Sequence, residues 1–220
     1  MKILYYSIMP IIDKYKTIFI HIPKTAGTSI ERTLIDYSLN YKGDLKNWYG
    51  KVQGYELDHS TLKFMKQHCR YYNESYLKFC VVRNPYERLV SEYHYCKRYF
   101  SRFIKHTNTF REFVLFLRDH FQYLLDNEEK RHFQISHYLP QHKFTHINGE
   151  CAMDFVIKYE TLSQDWNQLC QKLNINIDLL KVDQNSSKHT YNYLDYYDDE
   201  LKNIVYDLYK EDFIIFQYEK

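Results

Sequence analysis

Short apolar runs alternate with helical patterns along this chain. Residues 17–22, 77–82 and 153–159 are compact apolar runs that contain β-branched residues, and the second of them is "LKFCVV". Such runs are typical of strands buried in a parallel sheet. Strands that alternate with helices predict an α/β fold, with a mainly parallel sheet flanked by helices.

The predicted helices follow from apolar residues at a spacing of three or four. The pattern places helices after residue 28, after residue 85, around 110–117, around 166–173 and around 201–208. A further helix, capped by Asp58, is expected to carry Leu62, Met65 and Cys69. The histidine-rich segment 121–148 is predicted to be irregular.

Length and charge limit the class of protein. The 220 residues, 45% of them hydrophobic, fit a single domain spanning residues 1–220. The formal net charge of +2 is far from the basic excess of a general nucleic-acid binder. We expect no nucleic-acid partner, and any anion site must be local.

The five cysteines, Cys69, Cys80, Cys96, Cys151 and Cys170, include no C-x-x-C pair. An odd number without such a pair argues against a disulfide framework and against a zinc site. The apolar patch "ILYYSIMPII" near the first residue is too short to span a bilayer and lacks a cleavage site. We therefore expect no membrane span and a cytoplasmic location, with no support for a Golgi one.

The stretch "FIHIPKTAGTSI", residues 19–30, predicts a strand, a loop and a helix start. Backbone N–H groups at a helix start attract anions, and here Lys24 adds a charge while Thr25, Thr28 and Ser29 add hydroxyls. Gly27 is expected to let the backbone approach an oxyanion. Because Lys24 precedes the glycine, the loop differs from the G-x-x-x-x-G-K-[ST] pattern of P-loop kinases.

A second motif, "VVRNPYERLVSEY", occupies residues 81–93. Asn84 as N-cap, Pro85 at the first helical position and Glu87 at the third predict a helix start directly after a strand. Arg83 lies between the two elements. Ser91 follows about two helical turns later, roughly the reach of one phosphate.

These two motifs resemble the cofactor-binding signatures of sulfotransferases, in particular the membrane-type carbohydrate enzymes that include the heparan sulfate 2-O-sulfotransferases. "VIKYETLSQDW" and the segment from "HTYNYLDYYDDEL" onward resemble later parts of the same family. The resemblance covers nearly the whole chain and implies the P-loop-like sulfotransferase fold. It implies transfer of a sulfuryl group from 3′-phosphoadenosine 5′-phosphosulfate to a carbohydrate or other hydroxyl-bearing acceptor, releasing adenosine 3′,5′-bisphosphate, with no metal.

The resemblance also assigns residues to the two ends of the donor. It gives the 5′-phosphosulfate to the loop Pro23, Lys24, Thr25, Ala26, Gly27, Thr28 and Ser29, where Lys24 would neutralise the leaving oxygen. It gives the 3′-phosphate to Arg83 and Ser91, and a contact in a closing loop to Lys188. Arg88 faces the same ligand or pairs with Glu92 on the surface, and the sequence leaves both open.

The general base is chosen among eleven histidines. His59 is our candidate, because it lies between the two motifs where the family places a catalytic histidine. Glu56 and Asp58 are the alternatives, and a surface residue at a helix start remains a further interpretation of His59. His21 is expected to be packed or bonded to backbone.

Several other groups keep two interpretations. The later histidines could contact the acceptor but have no metal-ligand spacing: His132, His137, His142 and His146. The basic run 94–106 is a solvated helix face or the lip that receives an anionic glycan. Two alternative functions, a metal-dependent phosphotransferase and a non-catalytic nucleotide-binding relative, also remain, and the oligomeric state is not predicted.

Overall fold

A computed structural model of the chain describes residues 11–39, 51–52, 55–56, 59–69, 71–99, 107–128, 133–179 and 192–220. These residues form two compact units. Unit 1 comprises the described residues within 1–82 and 143–181, and unit 2 those within 83–142 and 182–220. The single domain expected from the length stays a prediction.

The strands in chain order are β1 (Ile11–Ile12), β2 (Thr17–Ile20), β3 (Lys51–Val52), β4 (Tyr55–Glu56), β5 (Leu77–Val82), β6 (His146–Ile147), β7 (Glu150–Cys151) and β8 (Phe155–Lys158). The α-helices are α1 (Gly27–Leu39), α2 (Leu62–His68), α3 (Pro85–Tyr99), α4 (Phe110–Asp126), α5 (Phe133–Tyr138), α6 (His142–Thr145), α7 (Leu162–Lys172), α8 (Asp199–Leu208) and α9 (Lys210–Ile215). Short 3₁₀ turns occupy Asp13–Tyr15, Tyr159–Thr161 and Tyr193–Tyr196.

Unit 1 is built on a sheet with the strand order β1-β2-β5-β8. β2, β5 and β8 are parallel, with Ile20 opposite Cys80 and Val82 opposite Lys158. β1 pairs antiparallel with β2. The carboxyl ends of the parallel strands therefore share one edge, where open α/β sheets bind their ligands.

The core of unit 1 lies between this sheet and two helices. On one face, Phe19, Phe79 and Ile157 pack with Ile30 of α1 and Trp166 of α7. The indole Nε1 of Trp166 also donates to the carbonyl of Ile177 at 2.8 Å, so its one polar atom is satisfied in the core. Burial of one such side chain stabilises the fold by about 1.5–3 kcal/mol. The predicted parallel sheet flanked by helices is confirmed.

Unit 2 is helical. Phe110, Phe113 and Val114 of α4 are buried together with Leu201 and Val205 of α8. Thr109 caps α4 by accepting from Glu112 N at 3.2 Å, and Asp198 caps α8 by accepting from Leu201 N at 2.8 Å. These caps satisfy helix-start N–H groups and explain why both helices begin where the apolar pattern places them.

Two predictions about local structure are wrong. The segment 121–148 is largely ordered, because α4 continues to Asp126 and the segment also contains α5, α6 and β6. The cap of α2 is Thr61, whose Oγ1 accepts from Phe64 N at 3.3 Å, and not Asp58. Thr61 is the residue directly before Leu62, where the helical hydrogen bonds begin, so it holds the position from which a side chain can reach the first free N–H groups.

Within the described residues, no helix combines the length and the apolarity needed to cross a bilayer.

Candidate functional site

The loop 23–29 lies between β2 and α1 at the carboxyl edge of the sheet in unit 1, and its last three residues are the first residues of α1. The buried side chain of Thr25 donates to the carbonyl of Ile22 at 2.8 Å. The carbonyl of Ala26 accepts from Ser29 N at 2.9 Å and from Ile30 N at 3.3 Å, which starts α1. The chain thus turns sharply and presents the first N–H groups of a helix to the loop.

Two residues of this loop have a left-handed backbone. Lys24 has φ 67° and Ala26 has φ 69°, although neither is a glycine. Each such residue costs about 1–2 kcal/mol relative to the right-handed region. Strained residues of this kind concentrate at ligand sites, and left-handed residues alternating with others form concave N–H clusters that bind anions. The loop therefore has two backbone features that are common at anion sites, which agrees with the prediction.

Gly27 is required by a neighbouring imidazole. A Cβ added at Gly27 would lie 1.9 Å from both Cδ2 and Nε2 of His21. The sequence suggests that the glycine lets the backbone approach an oxyanion. The structure supplies a different reason, since the space that a side chain would need is occupied by the His21 ring.

His21 is fixed by a carboxylate. Its Nδ1 lies 2.7 Å from Oε1 of Glu31 in α1, and both side chains are only 12% exposed. An ionised carboxylate can only accept, so Nδ1 of His21 carries a proton. The ring also stacks on Phe19 with 5.7 Å between centroids. The expectation that His21 is packed is confirmed, and its Nδ1 pairs with a side chain.

His59 lies directly beside His21. The Nδ1 atom of His59 is 3.0 Å from the carbonyl oxygen of His21, and the two rings meet edge to face with 4.4 Å between centroids. A carbonyl oxygen can only accept, so Nδ1 of His59 is the protonated nitrogen. In the neutral ring, Nε2 then holds a lone pair that can accept a proton. His59 also has a left-handed backbone, with φ 57°.

The other candidate residues in this part of the chain differ in burial, and two of them lie outside the described residues. Pro23 is buried, and Lys24, Thr28 and Ser29 are half-buried. Glu56 lies in β4. Asp58 and Lys188 fall outside the described residues, so the role of Asp58 as an alternative base and the role of Lys188 as a donor contact stay predictions.

In unit 2, Arg83 directly follows β5 and is held at its backbone. Gln141 receives the N–H of Arg83 on Oε1 at 2.9 Å and donates from Nε2 to the carbonyl of Arg83 at 2.8 Å. The side-chain amide of Gln141 therefore satisfies both the backbone N–H and the backbone carbonyl of Arg83, as a neighbouring strand would. No local sequence pattern links residues 83 and 141, so the role of Gln141 in holding Arg83 could not be predicted from the sequence.

The guanidinium of Arg83 forms an ion pair within the same segment. Its Nη2 lies 2.7 Å from Oε1 of Glu87, four residues later, and the side chain of Arg83 is 10% exposed. The spacing of the two residues is the one at which opposite charges meet on a helix, so this pair could be found from the sequence. An anion that binds here must share the guanidinium with Glu87.

The predicted start of α3 is confirmed. Oδ1 of Asn84 accepts from Tyr86 N at 2.9 Å, and the carbonyl of Asn84 accepts from Arg88 N at 2.8 Å. Pro85 is the first helical residue, where its missing N–H costs nothing.

Arg88 holds the C-terminal end of α5. Its two terminal nitrogens donate to the carbonyls of Leu139 and His137, at 3.0 and 3.1 Å. Arg88 and Glu92 are both buried, so their interpretation as a surface pair is wrong. Ser91 is half-buried on α3, eight residues beyond Arg83.

A buried carboxylate holds the turn that carries Gln141. Asp212 is fully buried and accepts from Gln141 N at 2.6 Å and from His142 N at 2.9 Å. Its Oδ1 is also 2.8 Å from Nδ1 of His142. Asp212 therefore fixes Gln141, and Gln141 fixes the backbone of Arg83.

The later histidines that the structure describes have partners of their own, and His132 lies outside the described residues. His137 meets Glu92 at 2.8 Å, His146 meets the hydroxyl of Thr145 at 2.8 Å, and His94 meets the hydroxyl of Tyr196 at 2.8 Å. Among the described side chains, no group of three or more histidines, cysteines or carboxylates is arranged to hold a metal ion.

Comparison with known proteins agrees with the two motifs. A family model described as "Sulfotransferase family" matches residues 9–219. Carbohydrate sulfotransferase 14 of Mus musculus is 29% identical over 72% of this chain and 44% of its own length, and the Homo sapiens protein of that name is 27% identical over the same shares. Carbohydrate sulfotransferase 11 of Mus musculus is 26% identical over 94% of this chain and 65% of its own length.

The chain thus spans only about half to two thirds of the curated relatives it matches. No solved structure matches it significantly. The family match covers almost every residue, includes both motifs and agrees with the parallel sheet that carries the anion loop. The chain therefore belongs to the sulfotransferase family, with carbohydrate sulfotransferases among its relatives.

Proposed function

We propose that this protein transfers a sulfuryl group from 3′-phosphoadenosine 5′-phosphosulfate to a hydroxyl group of a carbohydrate. The observation that carries the proposal is the bond between Nδ1 of His59 and the carbonyl of His21, the residue that leads into the anion loop. That bond leaves Nε2 of His59 able to accept a proton. A proton acceptor beside an anion loop is what hydroxyl sulfation requires.

The residues of the loop fit one end of the donor. Helix-start N–H groups, the hydroxyls of Thr28 and Ser29, and the charge of Lys24 match the oxygens of a phosphosulfate. Arg83 and Ser91 are assigned the 3′-phosphate by family resemblance, and a buried guanidinium beside a helix start suits that group.

His59 would take the proton of the acceptor hydroxyl on Nε2 as the acceptor oxygen forms its bond to sulfur. The bond between sulfur and the bridging oxygen of the 5′-phosphate breaks in the same in-line step. Lys24 would neutralise the negative charge that this bridging oxygen gains, which lowers the energy of the transition state. The products are a sulfate ester and adenosine 3′,5′-bisphosphate, and the sum of these roles needs no metal ion.

Carbohydrate is proposed as the acceptor class because the relatives carry that word in their names. A transfer assay with sulfur-labelled donor across polysaccharides, oligosaccharides and small alcohols tests this choice. We expect label in at least one carbohydrate. Label found only in small alcohols or in tyrosyl peptides would contradict the carbohydrate assignment while keeping sulfuryl transfer.

Calorimetry separates the proposal from its competitors. We expect adenosine 3′,5′-bisphosphate to bind in the presence of a chelator and more tightly than ATP with Mg²⁺. Equal or tighter binding of ATP with Mg²⁺ would favour a phosphotransferase. Binding of the bisphosphate without transfer to any acceptor would favour a non-catalytic relative.

A further inference from the structure

The His21 side chain is enclosed by three groups of unit 1. Glu31 holds its Nδ1 at 2.7 Å, Phe19 stacks on its face, and the edge with Cδ2 and Nε2 fills the space beside Gly27. Protein interiors are packed as densely as organic crystals, so a ring held in this way cannot rotate without moving its neighbours. The orientation of His21 therefore depends on the Glu31 carboxylate.

His21 meets His59 in two ways. Its carbonyl accepts from Nδ1 of His59 at 3.0 Å, and its ring contacts the His59 ring at 4.4 Å with 69° between the planes. The backbone of His21 sets the tautomer of His59, and the ring of His21 limits the tilt of His59. A change at Glu31 is thus transmitted to His59 through one residue.

The charge of Glu31 does not suit a direct role in holding the donor. Glu31 lies four residues beyond Gly27, in the first turns of the helix whose start faces the anion loop. A carboxylate there repels a bound anion by Coulomb interaction. The presence of Glu31 is explained if its carboxylate instead holds the His21 ring by accepting the hydrogen bond from Nδ1.

We infer that Glu31 is a positioning residue for the proposed transfer: its carboxylate fixes the His21 ring, and through it the backbone at Gly27 and the tautomer of His59. The inference rests on the proposed function for the roles of the loop and of His59. Nothing in the sequence motifs assigns Glu31, since it lies beyond the loop and is not part of the quoted signature.

The first test reads the His59 ring without any activity assay. In protein labelled with ¹⁵N at histidine, long-range NMR spectra show which ring nitrogen carries the proton, and His21→Gln and His59→Gln identify the two signals. We expect a protonated Nδ1 on His59 in the unaltered chain. Glu31→Ala should give a mixture of His59 tautomers, and Glu31→Gln a smaller change, because a carboxamide oxygen can still accept from His21.

Two controls separate positioning from loss of stability or charge. Ile157→Val removes one methyl group from the same core, and Glu160→Gln removes one exposed carboxylate of unit 1. Neither should alter the His59 signals. Unchanged His59 signals in folded Glu31→Ala would overturn the inference, and so would a Glu31→Gln protein that no longer folds, since an isosteric amide should preserve the packing.

The second test divides binding from turnover. We expect Glu31→Ala to lower kcat by about 10²-fold, the effect of a misplaced reactive group. The affinity for adenosine 3′,5′-bisphosphate should stay the same or rise, because a negative charge near the anion loop is lost. A parallel loss of affinity and kcat would show that Glu31 only supports the fold of the loop.

The two tests fail in different ways. If the unaltered protein transfers no sulfate, the proposed function fails, while the NMR comparison still decides whether Glu31 sets the state of His59. If transfer is seen but the His59 signals ignore Glu31, the proposed function stands and this inference falls.

Discussion

The loop 23–29 in unit 1 and the Arg83 segment in unit 2 are both candidate anion sites, but they are built differently. In the loop, Lys24 and Ala26 have strained left-handed backbones, and the groups offered to an anion are N–H groups at a helix start. Around Arg83 the group offered to an anion is one guanidinium, which is already paired with Glu87 at 2.7 Å.

This difference suggests that the loop serves the chemical step and that the Arg83 segment serves donor binding. The ring of His21 fills the space beside Gly27 of the loop, and His59 contacts His21 in turn. The Arg83 segment is fixed by Gln141 and Asp212, and its bonds are those of a rigid anchor. We expect changes near the loop to affect turnover and changes near Arg83 to affect affinity.

The largest effect is expected for His59→Ala. Loss of a general base lowers kcat by ~10²–10⁴-fold, while the affinity for adenosine 3′,5′-bisphosphate should be kept. Steady-state kinetics and calorimetry measure the two. The matched control is His120→Ala. Like His59, His120 has its Nδ1 beside a backbone carbonyl, that of Phe116 at 2.8 Å, but it lies on the exposed face of α4. Retained turnover in His59→Ala would move the role to Glu56, Asp58 or a histidine of the later segment.

Asp212→Ala tests the anchor. It leaves the N–H groups of Gln141 and His142 without their buried acceptor, at about 1–3 kcal/mol for each. Urea unfolding should show the corresponding loss in the free energy of unfolding, and Asp212→Asn a smaller one. Asp207→Ala, at an exposed position of α8, should have little effect. A stable Asp212→Ala protein would mean that water or another group replaces the carboxylate.

Gly27→Ala tests the packing of His21. The added methyl group collides with the ring at 1.9 Å, so we expect about 1–3 kcal/mol of destabilisation and a loss of turnover. Gly149→Ala is the contrast, since Gly149 has φ +85° but open space around it. It should cost stability through backbone strain alone and leave turnover intact. Equal turnover in the two variants would show that His21 can move away without consequence.

Arg83→Ala tests the division between the two sites. Charge-assisted hydrogen bonds contribute about 1.5–3 kcal/mol, so the affinity for adenosine 3′,5′-bisphosphate should fall by about 10–10²-fold. Adenosine 5′-phosphate, which lacks the 3′-phosphate, should lose little. Arg118→Ala, an exposed arginine of α4, serves as the control. If both nucleotides weaken equally, the 3′-phosphate is held elsewhere.

The smallest effect is expected for Glu87→Gln. The carboxylate competes with an anion for Arg83, and a partly exposed ion pair is worth about 1 kcal/mol. Its removal should raise the affinity for the bisphosphate a few-fold in calorimetry, while Glu211→Gln on α9 changes nothing. A lower affinity would instead mean that Glu87 orients the guanidinium for its ligand.

The sequence predicted the sheet better than the site. The strands within residues 17–22, 77–82 and 153–159 were predicted because buried parallel strands are short and apolar. Helix α3 was predicted because Asn84 and Pro85 mark its start. β1, α5 and α6 have two, six and four residues, too few to show a period. The contacts of Glu31 with His21 and of Gln141 with Arg83 join residues 10 and 58 positions apart, which no local pattern encodes.

Strand β2 ends one residue before His21, with Ile20 opposite Cys80 of β5. A slip of one residue would send the His21 ring to the opposite face of the sheet and withdraw its carbonyl from His59. We therefore expect correct pairing of the two central strands and the contact between His21 and His59 to form and break together. Native-state hydrogen exchange should report this directly, with the β2 amides and the His59 ring proton opening at the same free energy.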